Sequence, residues 1–339
     1  VIDEHHRLMF GAAAAPMAEF YEVIERKWVN EIAGSMRTTA VGPVYAPPTE
    51  SEIWTRIYGE AEVAALGKLL DRAASLVEPG SLEARRIAFF RREYHDAIAD
   101  GLVAYRDKRR KIESFVWRAA DGKPIELRPF KPKKKAPPEE FVKTYVTVSR
   151  TADDLVVTYD CEDNRMDDVA AIPRSPDDPD LWRDAGVEIF LNPNADRRTY
   201  YHLMVNAEGS VADSRGVSAG KDSETESLKA WDSGATAKSE RRADGWTLTV
   251  RIPLKALGEV KDAFPAEFAR NRVTKSGRGY CRYNWSPYVF GFNSVSEYGT
   301  VDLGGRLAPT AAEFPVTDYG AKPDGAKPAE GADAGKEFG

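Results

Sequence analysis

The sequence predicts an α+β chain: a bundle of helices over about residues 1–112, then an antiparallel β-sandwich over 113–317 and a disordered tail over 318–339. Three observations predict it. Apolar residues recur at three- and four-residue spacing through the first third. Repeated prolines between Gly122 and Pro138 then remove amide donors and end the helical period. After Phe141, short runs alternate with a period of two between Gly, Asp, Asn and Pro turns.

In chain order, Met17, Phe20, Ile24 and Trp28 form one stripe behind Pro16, which suits a first helical turn, so a helix is expected to about Glu31. Thr49-Glu50-Ser51-Glu52 has the spacing of a capping box and should open a second helix. Val63, Leu66, Leu69, Leu70, Ala73 and Leu76 continue that stripe until Pro79-Gly80. The longest helix follows Ser81, with Ile87, Phe90, Tyr94, Ile98, Leu102 and Tyr105 on one face. Strands are expected at Tyr145–Val148, Leu155–Tyr159, Val187–Leu191, Tyr200–Asn206, Trp246–Ile252, Tyr280–Trp285 and Gly299–Leu303; many short strands mean a sandwich or barrel. The tail has no aromatic residue after Tyr319 until Phe338.

Composition narrows the function. The 339 residues carry 54 acids against 48 bases, a net charge of −6, so the whole molecule lacks the positive field that steers nucleic acid. The basic cluster Lys131, Lys133, Lys134 and Lys135 has no interleaved aromatics and reads as a solvated loop. No apolar run approaches the ~20 residues of a membrane span. The two cysteines, Cys161 and Cys281, give no zinc spacing and form one disulfide or none. Val1 to His6 show neither an initiator methionine nor a signal peptide, so the chain is expected to start inside a larger protein.

A resemblance enters at Leu181-Trp182-Arg183-Asp184-Ala185-Gly186-Val187-Glu188-Ile189-Phe190-Leu191. This stretch resembles the W-x-x-D-x-V-E-[IVL]-[FY]-[IL] run of family 9 carbohydrate-binding modules, with one extra residue between Asp184 and Val187. Tyr200 to Gly209 is similar to that family's central hairpin, and Gly245 to Pro253 to its G-W-x-x-E-x-x-I-P strand, with Thr249 replacing the acid. Tyr298 to Leu303 is similar to the closing F-G-x-L-x-L. Phe10 to Tyr21 resembles the opening of a helical domain that follows a hexosaminidase-like barrel in glycoside-hydrolase-like proteins. The resemblances imply a carbohydrate-binding-module or DOMON-like sandwich that binds sugar without cleaving it. They further imply an upstream catalytic barrel as partner, an extracellular or periplasmic location, and structural calcium.

Candidate site residues follow. An aromatic ring can cover the C–H face of a sugar while polar neighbours bind its hydroxyls. Trp182 after an Asp-Asp-Pro-Asp turn matches one wall of the family's aromatic clamp, and Glu188 its hydroxyl acceptor; the alternatives are a core tryptophan and an exposed strand glutamate. The second wall is a tryptophan in the family; here Phe292 fits the spacing, with Asn293 as a hydroxyl partner. His202 and Asn206 share a strand face, His202 near the family's basic contact position, the alternative being a satisfied structural histidine. Trp285 is expected in the core. Asp160, Glu162 and Asp163 in an oxygen-rich run are the calcium candidates, or else a solvated acidic loop. Glu188 with Asp184 is a carboxylate pair on paper, unaccompanied by any recognised catalytic motif. His202 with Met204 would serve a haem-binding reading, although neighbours on one strand face cannot flank one iron. A sandwich with a degenerate sugar site is the remaining alternative.

Overall fold

A computed structural model of the chain describes residues 2–33, 36–39, 42–45, 48–131, 141–217, 231–277 and 279–304. The expected tail over 318–339, the sandwich limit at 317 and the lysines at 133–135 lie outside the described residues. Packing divides the chain into two compact units, one holding Val1–Lys27 and Ile53–Val103, the other Trp28–Glu52 and Ala104–Leu307.

The first unit is helical. Helices α1 (Ile2–Phe10) and α2 (Ala14–Lys27) begin the chain. The α2 stripe runs through Met17 and Phe20 but ends on Lys27, buried at 7%, while Trp28 stands 57% exposed. Lys27 lies three residues beyond Ile24 on the same seam, and it is tolerated there because Nζ donates to the Ile57 carbonyl at 2.7 Å and pairs with Glu62 at 3.2 Å. In the stretch Trp28–Glu52, which belongs to the second unit, strands β1 (Met36–Thr39) and β2 (Gly42–Tyr45) pair antiparallel. The capping box at Thr49 forms as the spacing predicts: the Glu52 amide donates to Thr49 Oγ1 and the Thr49 amide to Glu52 Oε2, opening the short α3 (Glu50–Glu52). Ile53–Ile57 follows as a π-type turn before α4 (Glu60–Ala74). Ser81 caps α5 (Leu82–Phe90) by accepting the Ala84 amide, and a π-type turn over Arg91–Asp96 carries the chain into α6 (Ala97–Ser114).

Most of the second unit is the sandwich. Its strands are β3 (Val116–Arg118), β4 (Ile125–Glu126), β5 (Arg128–Pro129), β6 (Thr144–Arg150), β7 (Asp154–Glu162), β8 (Gly186–Leu191), β9 (Thr199–Asn206), β10 (Val211–Val217), β11 (Thr236–Arg242), β12 (Gly245–Pro253), β13 (Ala263–Arg272), β14 (Cys281–Asn284) and β15 (Gly299–Asp302). A single turn of helix, α7 (Leu254–Leu257), follows β12. One sheet has the order β10-β9-β8-β13-β14-β5, with β15 on β13 and β3 parallel to β15; the other has β11-β12-β7-β6-β4. Period-two alternation fills the space between them: Leu155, Val157 and Tyr159 of β7, Trp246, Leu248, Val250 and Ile252 of β12, and Val187, Ile189 and Leu191 of β8 all join one buried core. Trp285, 7% exposed, belongs to it as expected.

Two features lie at the edge of this core. Residues just before the sandwich complete it: the Phe115 ring packs on Trp285 at 5.1 Å, and its carbonyl accepts the Thr300 amide. Gly299 is needed beneath them, since a Cβ there would stand 2.8 Å from both rings. The C-terminal part of α6 also grips the Ser286–Tyr298 loop: Lys108 pairs with Glu297, whose other oxygen accepts the Phe290 amide, and Arg109 donates to the Ser296 carbonyl. Both cysteines are free thiols; burial pushes Cys161 up to about 12.

Candidate functional site

The site is built where the segment before β8 turns into the sheet. Leu181–Arg183 is a single 3-10 turn, with Leu181 buried and Trp182 58% exposed. Arg183 lies over the Trp182 ring at 5.3 Å and pairs with Asp180 at 3.2 Å. The turn is anchored from below by Asp184, whose two oxygens accept Arg174 Nη2 at 2.9 Å and Nε at 2.7 Å. Asn206 donates to Asp184 at 2.8 Å and to the Ile172 carbonyl, and its own oxygen accepts the Glu208 and Ser210 amides. Every hydrogen-bonding position of the Asn206 amide is thereby used.

Trp182, Asp184, Glu188, Met204, Asn206 and Asn271 line a small, shallow open depression. Glu188 points outward from β8 into it. Its Oε2 accepts His202 Nε2 at 2.9 Å and its Oε1 accepts Asn271 Nδ2 at 2.5 Å. Burial works against the Glu188 carboxylate, but the His202 and Asn271 hydrogen bonds and the charge of Arg282 outweigh it, so the group stays ionised below the usual glutamate range. A carboxylate oxygen accepts along two directions, so each oxygen keeps one for a ligand hydroxyl. His202 is fixed in turn by stacking flat on Phe190, centroids 4.0 Å apart and planes 7° from parallel.

The sequence profile of the family described as "Carbohydrate family 9 binding domain-like" matches residues 122–306, more than half of the chain. The chain belongs to the carbohydrate family 9 binding domain-like family. Among solved structures it is similar to a family 9 carbohydrate-binding module from Caldicellulosiruptor kristjanssonii in complex with cellotriose, at 19% identity and a TM-score of 0.38, covering 57% of this chain and 87% of that one. The same module in complex with glucose gives 19% and 0.38, over 54% and 85%. A candidate carbohydrate-binding protein from Bacteroides uniformis gives 18% and 0.41, over 55% and 88%. A comparison with curated proteins found no match.

Within this family 9-like sandwich the residues singled out from sequence divide. Trp182, Glu188 and Asn206 meet at the depression, and His202 joins them through Glu188, though Asn206 holds the tryptophan turn in place and has no group left to offer. Phe292 does not line the depression: it packs on Phe130 at 4.8 Å and Phe190 at 6.3 Å. The exposed Asn293 shares a side-chain hydrogen bond with Tyr200. Sequence reasoning missed Asn271, whose signal was faint: one asparagine between two arginines, at an outward position of a strand that had not been recognised.

The three residues expected to hold calcium are placed differently. The Asp163 carboxylate is 2% exposed and is already taken by Arg270 at 2.8 Å and Arg272 at 2.8 Å, while Asp160 pairs with Arg242 at 2.6 Å. Glu162 lies on the exposed face of β7. Among the described residues no group of three or more His, Cys, Asp or Glu side chains converges as metal ligands. These residues therefore do not fit a calcium cage, which needs six to eight oxygens. The Asp184–Glu188 pair does not fit glycoside hydrolysis either: Asp184 is also held below the usual range, its burial outweighed by Arg174 and Asn206, and a general acid needs a raised value. The haem reading fails on His202, whose Nε2 is committed to Glu188 and whose ring lies flat against Phe190.

Behind Phe190, on the neighbouring strand, Glu267 is fully buried. Burial raises it to about 8, against an ordinary 4.5, despite the Trp285 and Ser286 amides that it accepts and the charge of Arg128. Between those two values the folded chain holds a proton that the unfolded chain releases, so stability falls as pH rises, by at most about 1.4 kcal/mol per pH unit. Urea unfolding of the wild type should show this loss between about pH 5 and 8, and Glu267→Gln should flatten it. A wild-type profile as flat as the variant's would contradict the assignment.

Proposed function

We propose that the sandwich binds carbohydrate without cleaving it, as the accessory part of a glycoside-hydrolase-like protein working outside the cell or in the periplasm. One observation carries the reading: an indole held 58% exposed on an anchored turn, next to an ionised, mostly buried glutamate oriented by His202 and Asn271. The exposed ring face suits the C–H face of a pyranose, and Glu188 suits its hydroxyls. The depression is shallow and open, so a sugar ring would lie across it against the indole and not be enclosed by it. The resemblance of Phe10 to Tyr21 to the helical domain behind a hexosaminidase-like barrel supports an upstream catalytic partner, and with it the location.

The test is calorimetric titration of the chain with mono- and disaccharides, glucose and cellobiose first. Saturable heat with a Kd between about 1 μM and 1 mM is expected. No heat with any sugar would leave a structural module whose site is degenerate.

A further inference from the structure

The outward face of the same sheet carries a second aromatic surface that the Trp182 depression does not use. Phe130, next to β5, meets Phe292 at 4.8 Å, and the Arg282 guanidinium of β14 lies over both rings, at 5.5 and 5.7 Å. Lys131 lies 5.0 Å from the Phe130 centroid and 3.9 Å from that of Phe290, and donates to the Phe290 carbonyl at 2.8 Å. Phe290 itself is 78% exposed. Lys131 holds this place from a left-handed backbone, φ 46°, which costs a residue with a side chain beyond Cα and marks a position the surroundings impose.

Charge separates this surface from ordinary apolar packing. Arg282 and Lys131 are both exposed, and among the described residues neither has a carboxylate at ion-pair distance. The net charge of the chain is −6, so two cations flanking one phenyl ring with no carboxylate beside them form a local positive site in an acidic protein. The site adjoins the depression. Arg282 is the cross-strand partner of Asn271, which bonds Glu188, and Glu188 feels the Arg282 charge.

We propose that this surface receives a second sugar unit carrying a carboxylate, a hexuronic acid, its C–H face on the exposed Phe290 ring and its carboxylate between Arg282 and Lys131. The ligand class is then an acidic oligosaccharide, not a neutral glucan. A guanidinium meets a carboxylate with two parallel hydrogen bonds, and a cation already stacked on a ring is pre-oriented for it. The proposal rests on the carbohydrate reading of the Trp182 depression.

The experiment titrates the full chain with trigalacturonate and with cellotriose, at about 50 and about 500 mM NaCl, where screening differs several-fold. Trigalacturonate is expected to bind about 10-fold tighter than cellotriose at low salt, with most of that preference lost at high salt. Arg282→Gln and Lys131→Gln should each reduce the ratio of the two affinities several-fold, and Arg282→Lys should restore part of it. Both side chains are exposed, so circular dichroism should show the variants folded. Cellotriose binding with equal or weaker trigalacturonate binding overturns this proposal alone, as does a preference that survives both substitutions. Equal binding of an oligothymidylate also overturns it, in favour of an unselective polyanion surface. Binding of neither saccharide overturns the carbohydrate reading and this proposal with it.

Discussion

Replacing Trp182 by alanine is expected to remove saturable sugar binding while leaving the fold intact. The indole is 58% exposed and sits on a turn held by Asp184, Arg174 and Asn206, none of which it contacts through a hydrogen bond of its own. Its loss costs the core nothing, so the unfolding midpoint should stay within about 0.5 kcal/mol of wild type, as for surface substitutions generally. A pyranose covering on the order of 100 Å² of the ring gains about 2 to 3 kcal/mol at about 25 cal/mol per Å². Losing that weakens binding by roughly 30- to 150-fold, enough to carry a millimolar site out of calorimetric range. Trp182→Phe should retain part of the affinity, since a phenyl ring covers less of the sugar. Undiminished binding by the alanine variant would move the sugar elsewhere on the molecule.

Asp163→Asn is expected to be the most damaging single change in the sandwich. Asp163 lies between two arginines on successive inward positions of β13, Arg270 and Arg272, both 1% exposed. Its Oδ2 accepts Arg270 Nη2 at 2.8 Å and Arg272 Nε at 3.0 Å, and its Oδ1 accepts Arg272 Nη2 at 2.8 Å. The amide would leave two buried guanidinium charges facing each other uncompensated, a loss of about 3–5 kcal/mol, readable as a lower urea midpoint. The pH dependence follows from the same geometry. Burial disfavours the carboxylate, yet the two arginines and the Arg165 amide hold it below the ordinary 3.8. The stability it confers is therefore present above the unfolded value and lost as pH falls through the lower folded one. A variant as stable as wild type at neutral pH would show that the triad contributes nothing net.

These two residues also mark how far the sequence is legible. Trp182 and Glu188 can be found because their signals are local: a turn, then a strand with one polar residue among apolar ones. The strands β7, β8, β9 and β12 are equally plain, since their inward positions are apolar apart from Thr199 at the start of β9. The central strand β13 is not. Its inward positions read Phe264, Ala266, Phe268, Arg270 and Arg272, and its outward ones include the buried Glu267. Alternation fails there because the two arginines are neutralised by Asp163, about a hundred positions earlier in sequence, and because burial favours the protonated, uncharged form of Glu267. The same pairing misled the reading of Asp163, whose oxygens look free for calcium until their partners are placed in space. Lys27 shows a smaller version: it stands where the helical seam requires burial, and only the Ile57 carbonyl and Glu62 make that tolerable. Asn206 keeps its place on the expected face, but its role is visible only when its four hydrogen bonds are counted.

The contribution of α6 and β3 to the sandwich bears on where the module can be cut. The family profile begins at residue 122, after the last residue of β3. A fragment trimmed to that border would lose the strand paired with Thr300–Asp302 and the ring covering Trp285, exposing a bare sheet edge of the kind that recruits other chains. It would also lose Lys108 and Arg109 from the loop that carries Phe290 and Phe292. A graft or fusion that is to remain monomeric and keep that loop in shape should therefore take its first residue at or before Ala104, carrying the end of the helix as part of the module.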